Sequence, residues 1–120
     1  MNVITIEGKD YELKFGFNAI DHFCKAEKIN LIQFWDKIQA SKFQDIGMVR
    51  DMLYSCMTIS CIINNTDKVF SNNLAVGEWF DEVGIDYITH TIVPALVGSL
   101  ISDKKKAKSL LTEQKEATSA

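Results

Sequence analysis

The sequence contains a single proline and only three cysteines in 120 residues. One proline, Pro94, leaves room for long helices and argues against a loop-rich β-sandwich. The cysteines, Cys24, Cys56 and Cys61, form no Cys-x-x-Cys pair, and three cysteines cannot all pair within one chain. Each lies in an apolar, helix-like context. We therefore interpret them as reduced core residues of a cytosolic protein.

Residue patterns for catalysis or cofactor binding are equally scarce. His22 and Cys24 would point about 200° apart on a helix, so they cannot share a metal. The six glycines are scattered singly, which excludes a glycine-rich phosphate loop. A small enzyme centred on His90 is one alternative, but we expect that side chain to be a hydrogen-bonded structural histidine. We predict a protein that is not an enzyme and binds no cofactor or metal.

The charge is distributed unevenly along the chain. Residues 1–103 carry 14 acidic and 8 basic side chains, a net charge of −6, whereas residues 104–120 carry 2 acidic and 5 basic side chains, a net charge of +3. An acidic body is not typical of a protein that binds nucleic acid through its folded surface. The run Lys104-Lys105-Lys106 supports one alternative, a small nucleic-acid-associated regulator that acts through its tail. The simpler interpretation of that run is a solvated tail.

The chain shows no secretion signal and no membrane span by its sequence pattern. A basic region followed by an apolar run is missing from the N-terminus. The most apolar segments are interrupted by Ser, Thr, His, Gly and Pro before they reach the roughly 20 apolar residues of a span. We therefore expect no membrane partner.

The strongest local pattern lies at the N-terminus. Apolar residues alternate with polar ones in two short runs, at Ile4, Ile6, Tyr11, Leu13 and Phe15. This period of two predicts two strands with one apolar face. Between the runs, Gly8 can adopt the positive φ angle that a short turn needs. The sequence therefore predicts a β-hairpin that leads directly into a helix.

Apolar residues then recur at intervals of three and four, which predicts about five helices. The expected helices cover residues 18–28, 31–40, 45–63, 74–83 and 87–101. The expected N-terminal caps are Asn18, Asn30, either Asn73 or Ser71, and Asp86. Gly84 is expected to end the fourth helix in the left-handed conformation. Pro94 predicts a kink or break near residues 90–93.

The third of these helices is apolar on nearly all sides. After Asp51 it carries no charged residue until Asp67. A helix of this kind is usually surrounded by protein, in a bundle or in an oligomer interface. We expect Val69 and Phe70, in the loop that follows it, to pack against the body.

The composition changes at the C-terminal end. From Ser102 onward only Leu110 and Leu111 are large apolar residues, which cannot offset the entropy cost of ordering this segment. We predict a mainly helical α+β fold with two parts. Residues 1–102 form one globular domain, with the hairpin packed on the helices, and residues 103–120 form a disordered, polar and basic tail.

Two pairs of adjacent aromatic residues, Phe34-Trp35 and Trp79-Phe80, are candidates for a binding surface. Neighbouring side chains on a helix lie about 100° apart, so one ring of each pair can face the core while the other lies at its edge. Aromatic side chains at such edges are typical anchors of protein interfaces. We predict partner binding through Phe34, Trp35, Trp79 and Phe80. The alternative is that all four rings pack in the core.

Residues 6–20, IEGKDYELKFGFNAI, resemble the opening of tail assembly chaperones from long-tailed phages of Gram-positive bacteria (siphophages). Beyond this segment, the helix order and the chain length also agree with that family. The resemblance implies a protein of the host cytoplasm that binds and solubilises the tape measure protein during virion morphogenesis. It also implies recruitment of the tail tube protein and self-association as a homo-oligomer. Such chaperones commonly have a longer frameshift product, with which the Lys104-Lys105-Lys106 run is compatible.

Overall fold

The computed structural model describes residues 2–100, which form an N-terminal hairpin followed by helices. The strands are β1 (Val3–Ile6) and β2 (Lys9–Glu12). The helices are α1 (Phe17–Glu27), α2 (Leu31–Ser41), α3 (Ile46–Asn64), α4 (Asn73–Tyr87) and α5 (Val93–Ser99), with a π-helical turn (Ile88–Ile92) between α4 and α5. The prediction of a mainly helical α+β fold is confirmed. The predicted tail, residues 103–120, lies outside the described residues.

The hairpin has the short turn that the sequence predicts. Ile6 pairs with Lys9, and the two residues between them, Glu7 and Gly8, have φ angles of 50° and 79°. Two consecutive positive φ angles are typical of a type I′ turn, whose twist matches that of antiparallel strands. One face of the hairpin is covered, as predicted, with Ile4 and Ile6 buried and Tyr11 half-buried, whereas Leu13 and Phe15 are buried beyond the end of β2 and not on a strand.

The segment after β2 connects the hairpin to α5. The Leu13 N–H donates a hydrogen bond to the Asn2 carbonyl at 2.7 Å, and the Phe15 N–H donates to the Ser99 carbonyl at 3.2 Å. The side chain of Phe15 stacks on Phe34 of α2, with ring centroids 6.1 Å apart. The hairpin therefore belongs to the same core as the helices.

The first part of α3 lies at the centre of this core. Asp45 caps the helix by accepting a hydrogen bond from the Met48 N–H at 3.2 Å. Met52 and Leu53 are completely buried, and α3 packs against α1, α4 and α5. In the loop after α3, Phe70 is buried and Val69 is half-buried, as predicted.

By length and composition alone, α3 could cross a membrane, since its most apolar window has a mean hydropathy of 1.4. The sequence analysis predicted no such segment, on the ground that Ser and Thr interrupt the apolar run. These interruptions lower the mean hydropathy only slightly. Half of that window is buried inside the described fold. The core helix of a globular protein has the same composition, so this feature is weak evidence for a membrane span.

The predicted helix caps were partly wrong. Asn30 caps α2 in a capping box, accepting from the Gln33 N–H at 2.8 Å while the Gln33 side chain accepts from the Asn30 N–H at 2.9 Å. However, α1 begins after Gly16 without a side-chain cap, so Asn18 already lies inside the helix. The cap of α4 is Asn72, one residue from each of the two predicted candidates.

The end of α4 also differs from the prediction. Gly84 has a positive φ of 84°, as expected, but its ψ of 166° is extended and not left-handed helical. The helix is therefore interrupted at Gly84, as predicted, and a second helical segment follows directly, so Asp86 lies within that segment instead of capping it. The predicted break before Pro94 is confirmed as the π-helical turn, which accommodates a residue without an N–H donor.

Several apolar residues that the periodicity placed on core faces are exposed. They stand in the first turns of their helices: Phe17, Leu31, Ile46 and Leu74. In α1 the buried positions begin at Ala19 and Ile20. Periodicity alone does not reveal where along a helix the packing against neighbouring elements begins.

Candidate functional site: an apolar ridge on α3

The last two turns of α3 carry three isoleucines that the described fold covers incompletely. Ile62 is 67% exposed and Ile63 is 62% exposed, while Ile59 is half-buried. Positions i, i+3 and i+4 lie on one face of a helix, so these side chains are neighbours. We call Ile59, Ile62 and Ile63 the α3 ridge. The described chain therefore does not enclose this end of α3, and the alternative that an oligomer interface covers it stays a prediction.

A first groove lies between the ridge and α1 and has a volume of about 570 Å³. All three ridge isoleucines line it. The α1 side chains that line it are Asn18, Asp21, His22, Lys25 and Ala26. The Lys25 Nζ and the Asp21 Oδ2 form an exposed ion pair at 3.0 Å on the outer wall. This α1–α3 groove thus has an apolar floor and a polar rim.

A second groove lies on the other side of the ridge and has a volume of about 580 Å³. Ile59 and Ile63 line this groove too, so the ridge separates the two. The remaining walls come from both ends of the described chain, with Glu12 and Lys14 beside the hairpin and Ser99 at the end of α5. We call it the hairpin groove.

The direction of α1 brings one more apolar side chain to this end of the molecule. His22 Nδ1 lies 2.8 Å from Ser55 Oγ, and further along α1 Glu27 lines the same cavity as Met48 and Asp51 of α3. The two helices are therefore antiparallel, because residue numbers rise along α1 as they fall along α3. The N-terminus of α1 lies at the ridge end of α3, and there Phe17 is 75% exposed.

The four aromatic residues that the sequence singled out lie elsewhere. Phe34, Trp79 and Phe80 are buried, and Trp35 is half-buried. The Phe34 ring contacts the rings of Phe15, Phe23 and Trp35 at centroid distances of 6.1, 5.6 and 5.7 Å. This burial favours the packing alternative for these rings. Partner binding through them stays a prediction, and only Trp35 of the four is not buried.

Two carboxyl groups with shifted pKa values, Asp51 and Glu27, lie in a small cluster at the other end of α3. Asp51 Oδ1 accepts hydrogen bonds from Arg50 Nε at 2.9 Å and from Asn73 Nδ2 at 3.0 Å. Burial alone would raise the pKa of Asp51, but the hydrogen bonds from Arg50, Asn73 and Glu27 together lower it. The hydrogen bond to Asp51, followed by burial, raises the pKa of Glu27. The cluster connects α1, α3 and α4, so it stabilises the fold.

The cysteines and histidines occupy structural positions. All three cysteines are buried and unpaired, as predicted, and burial raises the pKa of the Cys56 thiol to about 11. A thiol with so high a pKa is a poor nucleophile near neutral pH. His90 Nδ1 lies 3.0 Å from the Asp86 carbonyl. Within residues 2–100, no group of three or more His, Cys, Asp or Glu side chains could hold a metal ion.

Comparisons with protein-family models, curated proteins and solved structures find no match to this chain. The fold and the surface define a small, mainly helical α+β protein with an exposed apolar ridge between two grooves. Sequence reasoning missed the ridge, although it carried a signal. The third helix is apolar on more than one face, but which face stays open depends on the packing of the other elements.

Proposed function

We propose that this protein is a tail assembly chaperone of a siphophage, and that the α3 ridge binds apolar helical segments of the tape measure protein, its client. The ridge is the observation that carries the proposal. Isoleucines at i, i+3 and i+4, flanked by grooves, suit an amphipathic helix that places its own apolar stripe against them. The resemblance of residues 6–20 supplies the identity of the client, and the ridge supplies a surface for it.

The size of the ridge fits a chaperone that must release its client. Full burial of an isoleucine stabilises a complex by about 1.5–3 kcal/mol before the costs of association are subtracted. Two largely exposed isoleucines and one half-buried one therefore support only weak binding at a single site. A long client with many apolar helical segments would still be covered, because many weak contacts along one chain act together.

The polar surroundings support the same role. The body of the protein, residues 1–103, has a net charge of −6, which keeps a complex with an apolar client soluble through mutual repulsion. Recruitment of the tail tube protein, self-association, a longer frameshift product and location in the host cytoplasm belong to the same proposal. They rest on the resemblance.

Co-expression with the tape measure protein tests this proposal. We expect the wild-type protein to keep the client soluble and to co-purify with it. The double substitution Ile62→Lys/Ile63→Lys should reduce the recovered complex at least about tenfold, because the ridge would then present two charges to an apolar stripe. The matched control is Ile32→Lys on α2, since Ile32 is 73% exposed but lies away from the ridge.

The outcomes separate the function from the surface. A client that stays insoluble with the wild-type protein and never associates with it would exclude the chaperone function. Equal recovery with the double variant and with Ile32→Lys would retain the function but reject the ridge as its binding surface.

A further inference from the structure

We propose that residues 101–120 of this chain occupy the α3 ridge when no client is bound, with Leu110 and Leu111 covering the isoleucines. Competition with the client rests on the proposed function, whereas the contact itself is a property of this chain alone. The proposal makes the C-terminal segment an internal competitor for the docking surface.

The chain leaves the described fold beside the ridge. Ser99 lines the hairpin groove together with Ile59 and Ile63. The hydrogen bond from the Phe15 N–H to the Ser99 carbonyl, at 3.2 Å, fixes this position. Leu100 is buried and is the last described residue. The following residues therefore start at the wall of a groove whose opposite side is the ridge.

The chain beyond Leu100 is long enough to bring Leu110 to the ridge. Leu110 lies ten residues beyond Leu100. Such a connection spans about 15 Å if helical and about 33 Å if extended. Both ends of the connection would lie at the same groove. The distance can be covered in either conformation.

The C-terminal segment and the body that carries the ridge have complementary apolar residues and charges. Leu110 and Leu111 are the only large apolar side chains from Ser102 to the C-terminus, so this pair is the one part of the segment that an apolar surface would bind. Residues 104–120 carry a net charge of +3 and residues 1–103 a net charge of −6. The groove rims themselves are mixed, with Lys14 beside Glu12. The attraction therefore comes from the overall charge of the body.

The tether makes even a weak contact significant. A short flexible connection gives an effective concentration in the millimolar range. A contact with a dissociation constant of the same order would leave the ridge about half occupied, which would weaken client binding about twofold. A tighter contact would weaken client binding in proportion.

Isoleucine methyl NMR of the full chain, without client, tests the contact. We compare the wild-type protein with Leu110→Ser/Leu111→Ser, which removes the apolar pair but keeps the length and charge of the segment. The methyl resonances of Ile59, Ile62 and Ile63 should shift between the two proteins. Those of Ile32 and Ile85, which are exposed on α2 and α4, should not. The shifts should be independent of protein concentration.

Each outcome decides the matter. Shifts confined to the ridge and unchanged on dilution support the proposal. Shifts that vanish on dilution would place the segment on a second copy and overturn it, as would unchanged ridge resonances. With client present, the leucine double variant should bind at least about twofold more tightly. If the ridge resonances shift but no client binds even to that variant, the proposed function fails while the internal contact stands.

Discussion

The two ends of α3 have similar composition but different surroundings. Met52 and Leu53, in the first half of the helix, are completely buried where α3 packs against α1, α4 and α5. The last two turns carry Ile62 and Ile63, which are as apolar but are exposed to solvent. In a folded chain that buries most of its large apolar side chains, an uncovered row of them usually marks an interaction surface. The contrast separates the part of α3 that stabilises the fold from the part available for binding.

The largest expected effect comes from placing a charge at each end in turn. Met52→Asp should destabilise the protein by more than about 4 kcal/mol, because an unpaired carboxylate would replace a completely buried side chain. Ile62→Asp should change the free energy of unfolding by less than about 1 kcal/mol, because the new charge would stay in water. Urea denaturation of both variants measures the difference.

The contrast would be broken if the two variants lost similar stability. Ile59→Asp gives an intermediate case, because Ile59 is half-buried between the two grooves. Its cost should lie between those of the other two variants.

Two serines of α3 compare the buried part of the helix with the ridge end through smaller changes in stability. Ser55 is buried, and its Oγ lies 2.8 Å from His22 Nδ1. Ser55→Ala should cost about 1–2 kcal/mol, since the imidazole loses its partner in a partly enclosed position. Ser60, beside the ridge, accepts a hydrogen bond from the exposed Asn64 Nδ2 at 3.3 Å. Ser60→Ala should stay within about 0.5 kcal/mol of the wild type, because water replaces the lost bond.

Thermal unfolding of the two alanine variants under identical conditions checks this prediction. A larger loss for Ser60→Ala than for Ser55→Ala would mean that the ridge end is more tightly packed than the described contacts indicate. It would also weaken the case for an open docking surface there.

The features that the sequence predicted well depend on neighbouring residues. The turn at Gly8, the N-terminal cap at Asn30 and the irregular helix before Pro94 follow from local backbone chemistry, and the structure contains each of them, the last as a π-helical turn. The exposure of Ile62 and the burial of Trp79 depend instead on which elements pack together. The ridge and its grooves combine residues from the hairpin, α1, α3 and α5, so no periodic pattern in one segment could reveal them.

The caps of α1 and α4 show the limits even of local prediction. Asn18 and Asn73 have suitable side chains. However, α1 begins one residue before Asn18, and α4 begins at Asn73 itself. Asparagine is favoured both at the N-cap and in the adjacent turn, so composition cannot decide between neighbouring positions.

The smallest expected effect concerns the charges at the enclosed end of α3. The raised pKa of Glu27 means that its protonated form is favoured in the folded state, so its contribution to stability declines as the pH rises through that pKa. The lowered pKa of Asp51 means that its contribution is present above the ordinary aspartate pKa and is lost as the pH falls through the lowered value. The pair should therefore stabilise the fold most at mildly acidic pH, between the two pKa values.

Glu27→Gln keeps a hydrogen-bond donor for Asp51 and removes the repulsion between the two carboxylates. It should raise the free energy of unfolding by no more than about 1 kcal/mol near neutral pH, since Glu27 is partly exposed and solvent screens the repulsion. It should have almost no effect at mildly acidic pH. Denaturant unfolding at the two pH values measures this difference, with Glu82→Gln on the exposed surface of α4 as the control. If Glu27→Gln proved less stable than the wild type near neutral pH, the Glu27–Asp51 hydrogen bond would not be the contact that sets these pKa values, and the enclosed end of α3 would depend on packing alone.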